Sequence, residues 1–378
     1  MKTSQFWYPL PERLIAQHPA EVRGTDRMMV LHRDTCVLEH RSIADIAGYM
    51  NPGDLLVVND TKVLPARLVG SWEDTPGAVE MLMVAAAPVD GVSPAPAAES
   101  SGLDSLVWNV IVGSGRKCRA GQCAVFGPGR ELRARLEKPL DGIGMWRVAF
   151  SCARPLAALL DEFGRTPVPP YVKREGTAEE EREDRTRYQT VYAKHVGSVA
   201  APTAGLHFTP EILAEIEAKG VRRAAVTLHV GPGTFRPVKA ENIEDHKMDF
   251  EAFTLSPEAA DEVNACRARG GRIFCCGSTT VRTLESVAAA VAERRGEGGD
   301  GEGLPLVEPM SGASDIFIRP PYRFRVCDAM LTNFHLPQST LLMMVSALAG
   351  RERILSAYAM AVRANYRFFS YGDCMLIV

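Results

Sequence analysis

At 378 residues the chain is too long for one minimal domain, and two domains are the expectation. Its 46% hydrophobic and 24% charged residues exclude a chain disordered over most of its length. A formal net charge of −3, from 43 basic and 46 acidic residues, excludes a protein that coats nucleic acid non-specifically, so any RNA contact must use a local patch. One such patch is Ile316 to Val378, with seven Arg against three acids, although an ordinary solvated face has the same composition. Nine Cys, with Cys275 and Cys276 adjacent in an apolar run, suit buried thiols in a reducing compartment. No zinc site is legible, and no metal is expected. Met1 to Arg13 holds Lys2, Glu12 and Arg13 without an apolar core, so a signal peptide is not expected. Leu341 to Ala349 is too short to span a bilayer, and a cytoplasmic location follows.

Short strand-like runs come first: 55–58, 66–69, 79–84, 107–112 and 146–150. Gly/Pro turns separate them and none leads into a clear helix, which predicts a small antiparallel barrel or sandwich. Ala85 to Asp104, Lys173 to Arg187 and Glu293 to Gly303 read as exposed, mobile loops without chemistry. After Pro202 the pattern changes. Thr209-Pro210-Glu211 starts a helix that Gly220 stops, and Ala224 to Val230 reads as a strand. Ser256-Pro257-Glu258 and Gly270-Gly271 repeat the start and stop signals, and the strand Arg272 to Cys276 follows. The next helix carries Val281, Leu284, Ala288 and Val291 on one face, and a later one carries Ile354, Ala357, Tyr358, Ala361 and Val362. The predicted class is α/β: a major α/β domain with a mostly parallel sheet (1–62 and 151–378), interrupted by a small antiparallel β-barrel-like domain (63–150).

Four segments have the residue types for chemistry. Gly277-Ser278-Thr279-Thr280-Val281-Arg282 follows a strand directly, so free backbone N–H groups and a helix dipole meet there, with Arg282 as a fork for a carboxylate or phosphate. Plain capping is the blander reading. Ala201 to Phe208 places His207 on a short loop before a helix, with Thr203 and Gly205 beside it. Thr227 to Pro237 sets His229, Gly231, Gly233 and Thr234 after a strand, where glycines admit a ligand to the backbone, and Glu244 and His246 follow as acid/base candidates. Leu331 to Thr340, with Asn333 and His335, leads into an apolar helix and later to Tyr366 to Asp373, where Tyr371 could stack a base or face a sulfonium.

These segments in this order, with Leu10-Pro11-Glu12-Arg13-Leu14-Ile15-Ala16-Gln17-His18-Pro19, Gly53 to Arg67 and Tyr188-Gln189-Thr190-Val191-Tyr192, resemble the S-adenosylmethionine:tRNA ribosyltransferase-isomerase family. The stretch from Ser71 to about Pro139 matches loosely, and Ser278 stands where many members carry Thr. The resemblance implies transfer and isomerisation of the ribosyl moiety of S-adenosylmethionine to 7-aminomethyl-7-deazaguanine at the tRNA wobble position. Adenine and methionine leave, and the product is epoxyqueuosine-tRNA. No cofactor is implied, because S-adenosylmethionine is consumed as a substrate; the partners are that donor and the modified tRNA, and a monomer is expected. His207, His229, Glu244 and His246 are then the acid/base candidates. Ser278, Thr279, Thr280 and Arg282 are candidates for the methionine carboxylate, and Asn59, Asp60, Thr61, Arg67, Asn333, His335, Tyr371 and Asp373 for the same cleft. An S-adenosylmethionine-dependent tRNA methyltransferase would need a Gly-rich first strand–helix turn, which is missing. A non-catalytic RNA-binding protein would show a stronger basic bias.

Overall fold

Uninterrupted runs of Leu, Val, Ile, Met and Cys build the centre of the molecule. In the computed structural model, which describes residues 1–75, 77–87, 103, 105–113, 117–231, 233, 238–295 and 305–378, the strands in chain order begin with β1 (Arg27–Leu31), β2 (Leu38–Ser42), β3 (Leu55–Asn59) and β4 (Thr61–Val63). Six more follow: β5 (Arg67–Trp72), β6 (Ala78–Ala86), β7 (Val107–Gly113), β8 (Cys123–Phe126), β9 (Leu132–Pro139) and β10 (Met145–Cys152). Helices α1 (Leu156–Phe163) and α2 (Ala178–Arg187) precede β11 (His195–Ser198), α3 (Pro210–Ala218), β12 (Arg222–Leu228) and β13 (Glu251–Leu255). The chain closes with α4 (Pro257–Ala268), β14 (Ile273–Cys276), α5 (Gly277–Arg295), β15 (Met310–Ser314), β16 (Ala329–Asn333), α6 (Thr340–Ala349), α7 (Arg351–Arg363) and β17 (Cys374–Ile377).

A nine-stranded sheet runs β15-β13-β12-β3-β14-β16-β17-β1-β2. Its central strands β3, β14, β16 and β17 are buried along their whole length, as the apolar runs require. Leu55, Val57, Cys275 and Met330 pack with α4 to α7 on one face; Leu56, Val58, Phe274, Cys276 and Leu331 pack with α3 and the turn at Ile43–Tyr49 on the other. Cys275 and Cys276 are free thiols on opposite faces.

The expectation of a mostly parallel sheet is corrected. Four neighbouring pairs are parallel (β12 with β3, β3 with β14, β14 with β16, β17 with β1) and four are antiparallel. Two helices joined at Gly350 (φ 90°) connect β16 to β17 and return the chain to the end of the sheet it left, so β17 runs antiparallel to β16. A short turn makes β1 and β2 an antiparallel hairpin, and β13 and β15 add an antiparallel edge.

Strands β5 to β10 close an antiparallel six-stranded barrel in the order β10-β7-β6-β5-β8-β9. Period-two alternation fills it: Leu132, Ala134 and Leu136 point in while Arg133 and Arg135 point out. Leu156, Leu159 and Leu160 of α1 join that core. Strands β8 and β9 are not among the predicted runs, although the alternation over 132–136 carries the signal of β9.

The charged run read as a loop contains helix α2. Thr177 and Glu180 form a capping box, acids fill the first turn and Arg185 and Arg187 the last, so dipole and cap offset the lack of an apolar stripe. Buried Asp184 receives Arg174 through two hydrogen bonds of 2.9 and 2.8 Å. Ala85 and Ala86 end β6, and the rest of that predicted insert apart from Ala87 and Leu103 lies outside the described residues, as does 296–303.

Candidate active site

A cleft of about 820 Å³, counting its open mouth, lies at the carboxyl ends of β14 and β16, the position where open α/β sheets bind ligands. Thr203, Ser278, Thr279, Asn333 and His335 supply its polar groups; Tyr171, Val230, Phe369 and Leu341 supply apolar walls. The chain passes from β14 into α5 with no intervening loop. Only a left-handed residue makes that turn, and Gly277 sits at φ 84°. The first turn of a 19-residue helix therefore faces the cleft with its free N–H groups. The Thr280 hydroxyl donates to Cys276 O at 2.8 Å and stays inside the helix, whereas buried Thr279 Oγ1 has no partner among the described residues.

On the opposite wall, His335 bonds Thr332 Oγ1 through Nε2 at 2.8 Å, and burial pushes its pKa down to about 3. Its backbone is pinned by two tyrosines: the Tyr8 hydroxyl donates to His335 O, and His335 N–H donates to Tyr358 Oη at 3.1 Å. His207 lies behind Asn333, 2% exposed, with both ring nitrogens engaged: Asp26 Oδ2 at 2.9 Å and Asn333 Nδ2 at 3.2 Å. Burial pushes the Asp26 carboxyl up, but the hydrogen bond and charge of His207, with Arg367, outweigh it and hold the group below its ordinary range.

Leu341 is shared with a second, more open groove of about 1680 Å³, lined by His246, Asp249, Glu251, Arg282 and Gly233 and by Ile111 and Ile143 of the barrel. Arg282 does not stand free as a carboxylate fork. It is 4% exposed, pairs with buried Glu251 through Nη1, and donates from Nη2 to Ser314 O at 3.2 Å; its Nε has no partner among the described residues. Glu251 also accepts the Gly231 N–H at 3.0 Å, so one carboxylate ties the glycine loop to α5. A Cβ on Gly233 would sit 1.9 Å from Asp249 Oδ2, so that close approach requires glycine. The His246 ring meets Phe317 edge-on at 5.4 Å; burial lowers its pKa and Asp249 opposes the shift.

The remaining predicted residues sit elsewhere. Asn59 is fully buried and stitches β3 to β12 through Leu228 O at 3.0 Å and Leu228 N at 3.1 Å. Asp60 accepts from Thr227 Oγ1 at 2.7 Å and lies 3.5 Å from His195; burial raises its pKa against that hydrogen bond and the His195 charge. His229 Nδ1 bonds Thr61 Oγ1 at 2.8 Å, and burial, with the charge of His195, pushes its pKa down to about 4. Glu244 is an exposed partner of the Met1 amino group at 2.7 Å and of Arg319 at 3.7 Å. Arg67, the first residue of β5 in the barrel, is held by Glu80 of β6 at 2.8 and 2.9 Å. Tyr371 donates to Asp184 at 3.1 Å, and Asp373 accepts the backbone N–H groups of Arg27 and Arg367 at 3.2 and 2.8 Å. Gly205 leaves room for the Tyr192 hydroxyl, and Thr234 lies outside the described residues.

Two residues of the site were missed, Asp26 and Glu251. Glu251 had a signal: it shares the buried register of β13 with Phe253 and Leu255, a place where a carboxylate needs a partner. Asp26 stands just before the buried run of β1 and carries no such mark.

A cleft of amide, hydroxyl and imidazole groups at strand carboxyl ends, beside a groove that reaches an antiparallel barrel, defines an α/β enzyme with room for a small molecule and a larger partner. The chain belongs to the family described as Queuosine biosynthesis protein, which it matches over residues 3–377. It is 46% identical over 377 residues to the S-adenosylmethionine:tRNA ribosyltransferase-isomerase of Acetivibrio thermocellus, and 47% identical over 379 residues to that of Moorella thermoacetica; each match covers 100% of both chains. A crystal structure of S-adenosylmethionine tRNA ribosyltransferase from Thermotoga maritima is 34% identical, spans 99% of this chain and 100% of its own, and gives a TM-score of 0.52. Among the described residues no helix is long and apolar enough to cross a membrane.

Proposed function

We propose that this chain transfers and isomerises the ribosyl moiety of S-adenosylmethionine onto the aminomethyl group of 7-aminomethyl-7-deazaguanine at the tRNA wobble position, releasing adenine and methionine. The full-length identity to relatives that carry this activity in their names carries the reading. The chemistry asks for a base beside the sulfonium, whose charge acidifies the neighbouring carbon, and for a proton donor to departing adenine. His246 is our assignment for acid/base work, because it lines the groove with a ring that makes no hydrogen bond among the described residues. His229, kept neutral by burial, is the second candidate. The first turn of α5 with Thr279 suits the methionine carboxylate, and Arg282, paired with Glu251, holds that helix to the Gly231 loop.

This reading includes no separate cofactor and no metal, since the sulfonium itself supplies the activation. It also includes a cytoplasmic monomer and a division into a catalytic unit (1–62 and 151–378) carrying a barrel unit (63–150). Incubation with S-adenosylmethionine and tRNA bearing the aminomethyl base tests it. Adenine and methionine as products support it; S-adenosylhomocysteine would support a methyltransferase, and binding without turnover a non-catalytic RNA-binding protein.

A further inference from the structure

We propose that Asp26 and His207 are a buried positioning pair. They fix the amide of Asn333 so that its carbonyl oxygen faces the cleft and accepts an N–H from an amino group of the bound donor. The hydrogen bonds form one directed chain. Arg367 Nη2 donates to Asp26 Oδ1 at 2.9 Å, and Asp26 Oδ2 takes the Nδ1–H of His207 at 2.9 Å. That fixes the tautomer, so His207 Nε2 is an acceptor, and Asn333 Nδ2 donates to it at 3.2 Å. The other Nδ2 hydrogen goes to Phe369 O at 3.0 Å.

Both amide hydrogens are thereby committed. A flipped amide would set Oδ1 against Phe369 O and leave His207 Nε2 without a donor. Oδ1 is left for the cleft, where among the described residues only Thr203 Oγ1 meets it, at a long 3.4 Å. Phe369 supports the same arrangement. It lines the cleft at φ 73°, a left-handed conformation that costs a non-glycine residue, and its carbonyl is held by Asn333. With both ring nitrogens engaged, His207 has no free atom for proton transfer, which makes it a positioning residue rather than an acid or base.

The proposal rests on the reading of S-adenosylmethionine as donor. That molecule offers two amino groups, the adenine amine and the methionine ammonium, and both present the N–H that Oδ1 would accept. Side-chain geometry supplies the test. In His207→Gln the amide reaches the place of Nε2 and keeps an acceptor for Asn333, whereas in His207→Asn it reaches the place of Nδ1 and keeps only the tie to Asp26. The proposal predicts that His207→Asn raises KM for S-adenosylmethionine about tenfold with a smaller change in kcat, and that His207→Gln raises it about threefold. Adding Asn333→Ala to His207→Asn should cost nothing further.

Equal loss of kcat in both variants at unchanged KM, or a His207→Asn enzyme better than His207→Gln, would overturn the proposal. Calorimetric titration of wild type and Asn333→Ala with S-adenosylmethionine, adenosine and methionine stands apart from turnover. Weaker adenosine binding assigns the adenine amine, weaker methionine binding the ammonium, and unchanged affinity for all three overturns the proposal even if His207→Asn does not fold. A wild-type enzyme that binds the donor but transfers nothing would instead remove the proposed reaction and leave the binding result standing.

Discussion

Replacing His246 with Ala is expected to lower kcat by roughly 10²–10⁴-fold, the range for losing a positioned acid or base, while the melting transition stays in place. The ring is partly exposed and meets Phe317 edge-on outside the buried core, so its removal opens no core cavity. The pH profile sharpens the expectation. Burial lowers the His246 pKa, with Asp249 opposing, so the unprotonated ring persists to lower pH than an ordinary histidine. A rate that needs this ring as base stays level through neutrality and falls only as pH drops below the ordinary histidine range. A variant with wild-type kcat at every pH would transfer the role to His229, whose pKa of about 4 sets its own fall lower still.

Arg282→Ala should destabilise the fold by about 3–5 kcal/mol, the usual result of leaving one member of a buried ion pair without its partner. Glu251 would remain almost fully buried with its charge, and the Gly231 loop and the first turns of α5 would lose their common tie. Against a total stability of about 5–15 kcal/mol, that brings the protein near unfolding at growth temperature. The double variant Arg282→Met with Glu251→Leu should recover most of the stability, because well-packed apolar side chains replace such pairs at little cost. It should not recover activity. Urea denaturation of both variants beside the wild type measures this; a loss under about 1 kcal/mol in Arg282→Ala would mean that the pair is screened by solvent.

The helical half of the fold was legible because its signals are local. Thr209 and Ser256 cap α3 and α4, where their hydroxyls accept from Ile212 and Ala259. Strand direction was not legible, since it depends on how many helices lie between β16 and β17 and on which strands become edges. Helix α2 is not legible because it lacks an apolar stripe and is held by a cap, its charges and the Arg174–Asp184 pair. At the site, proximity to strand ends brought out Ser278, Thr279, Asn333 and His335, which line one cleft. It could not separate a group free to react from one already engaged: Arg282 and His207 read as reactive in sequence, and each is bound by an acid distant in the chain, Glu251 or Asp26.

The most direct test of the central claim is mass analysis of nucleosides from tRNA carrying 7-aminomethyl-7-deazaguanine after incubation with the enzyme and S-adenosylmethionine. The predicted result is conversion of that nucleoside to epoxyqueuosine, heavier by the isomerised ribosyl unit, matched by release of adenine. A nucleoside heavier by one methyl group, or an unchanged nucleoside alongside intact donor, would contradict it.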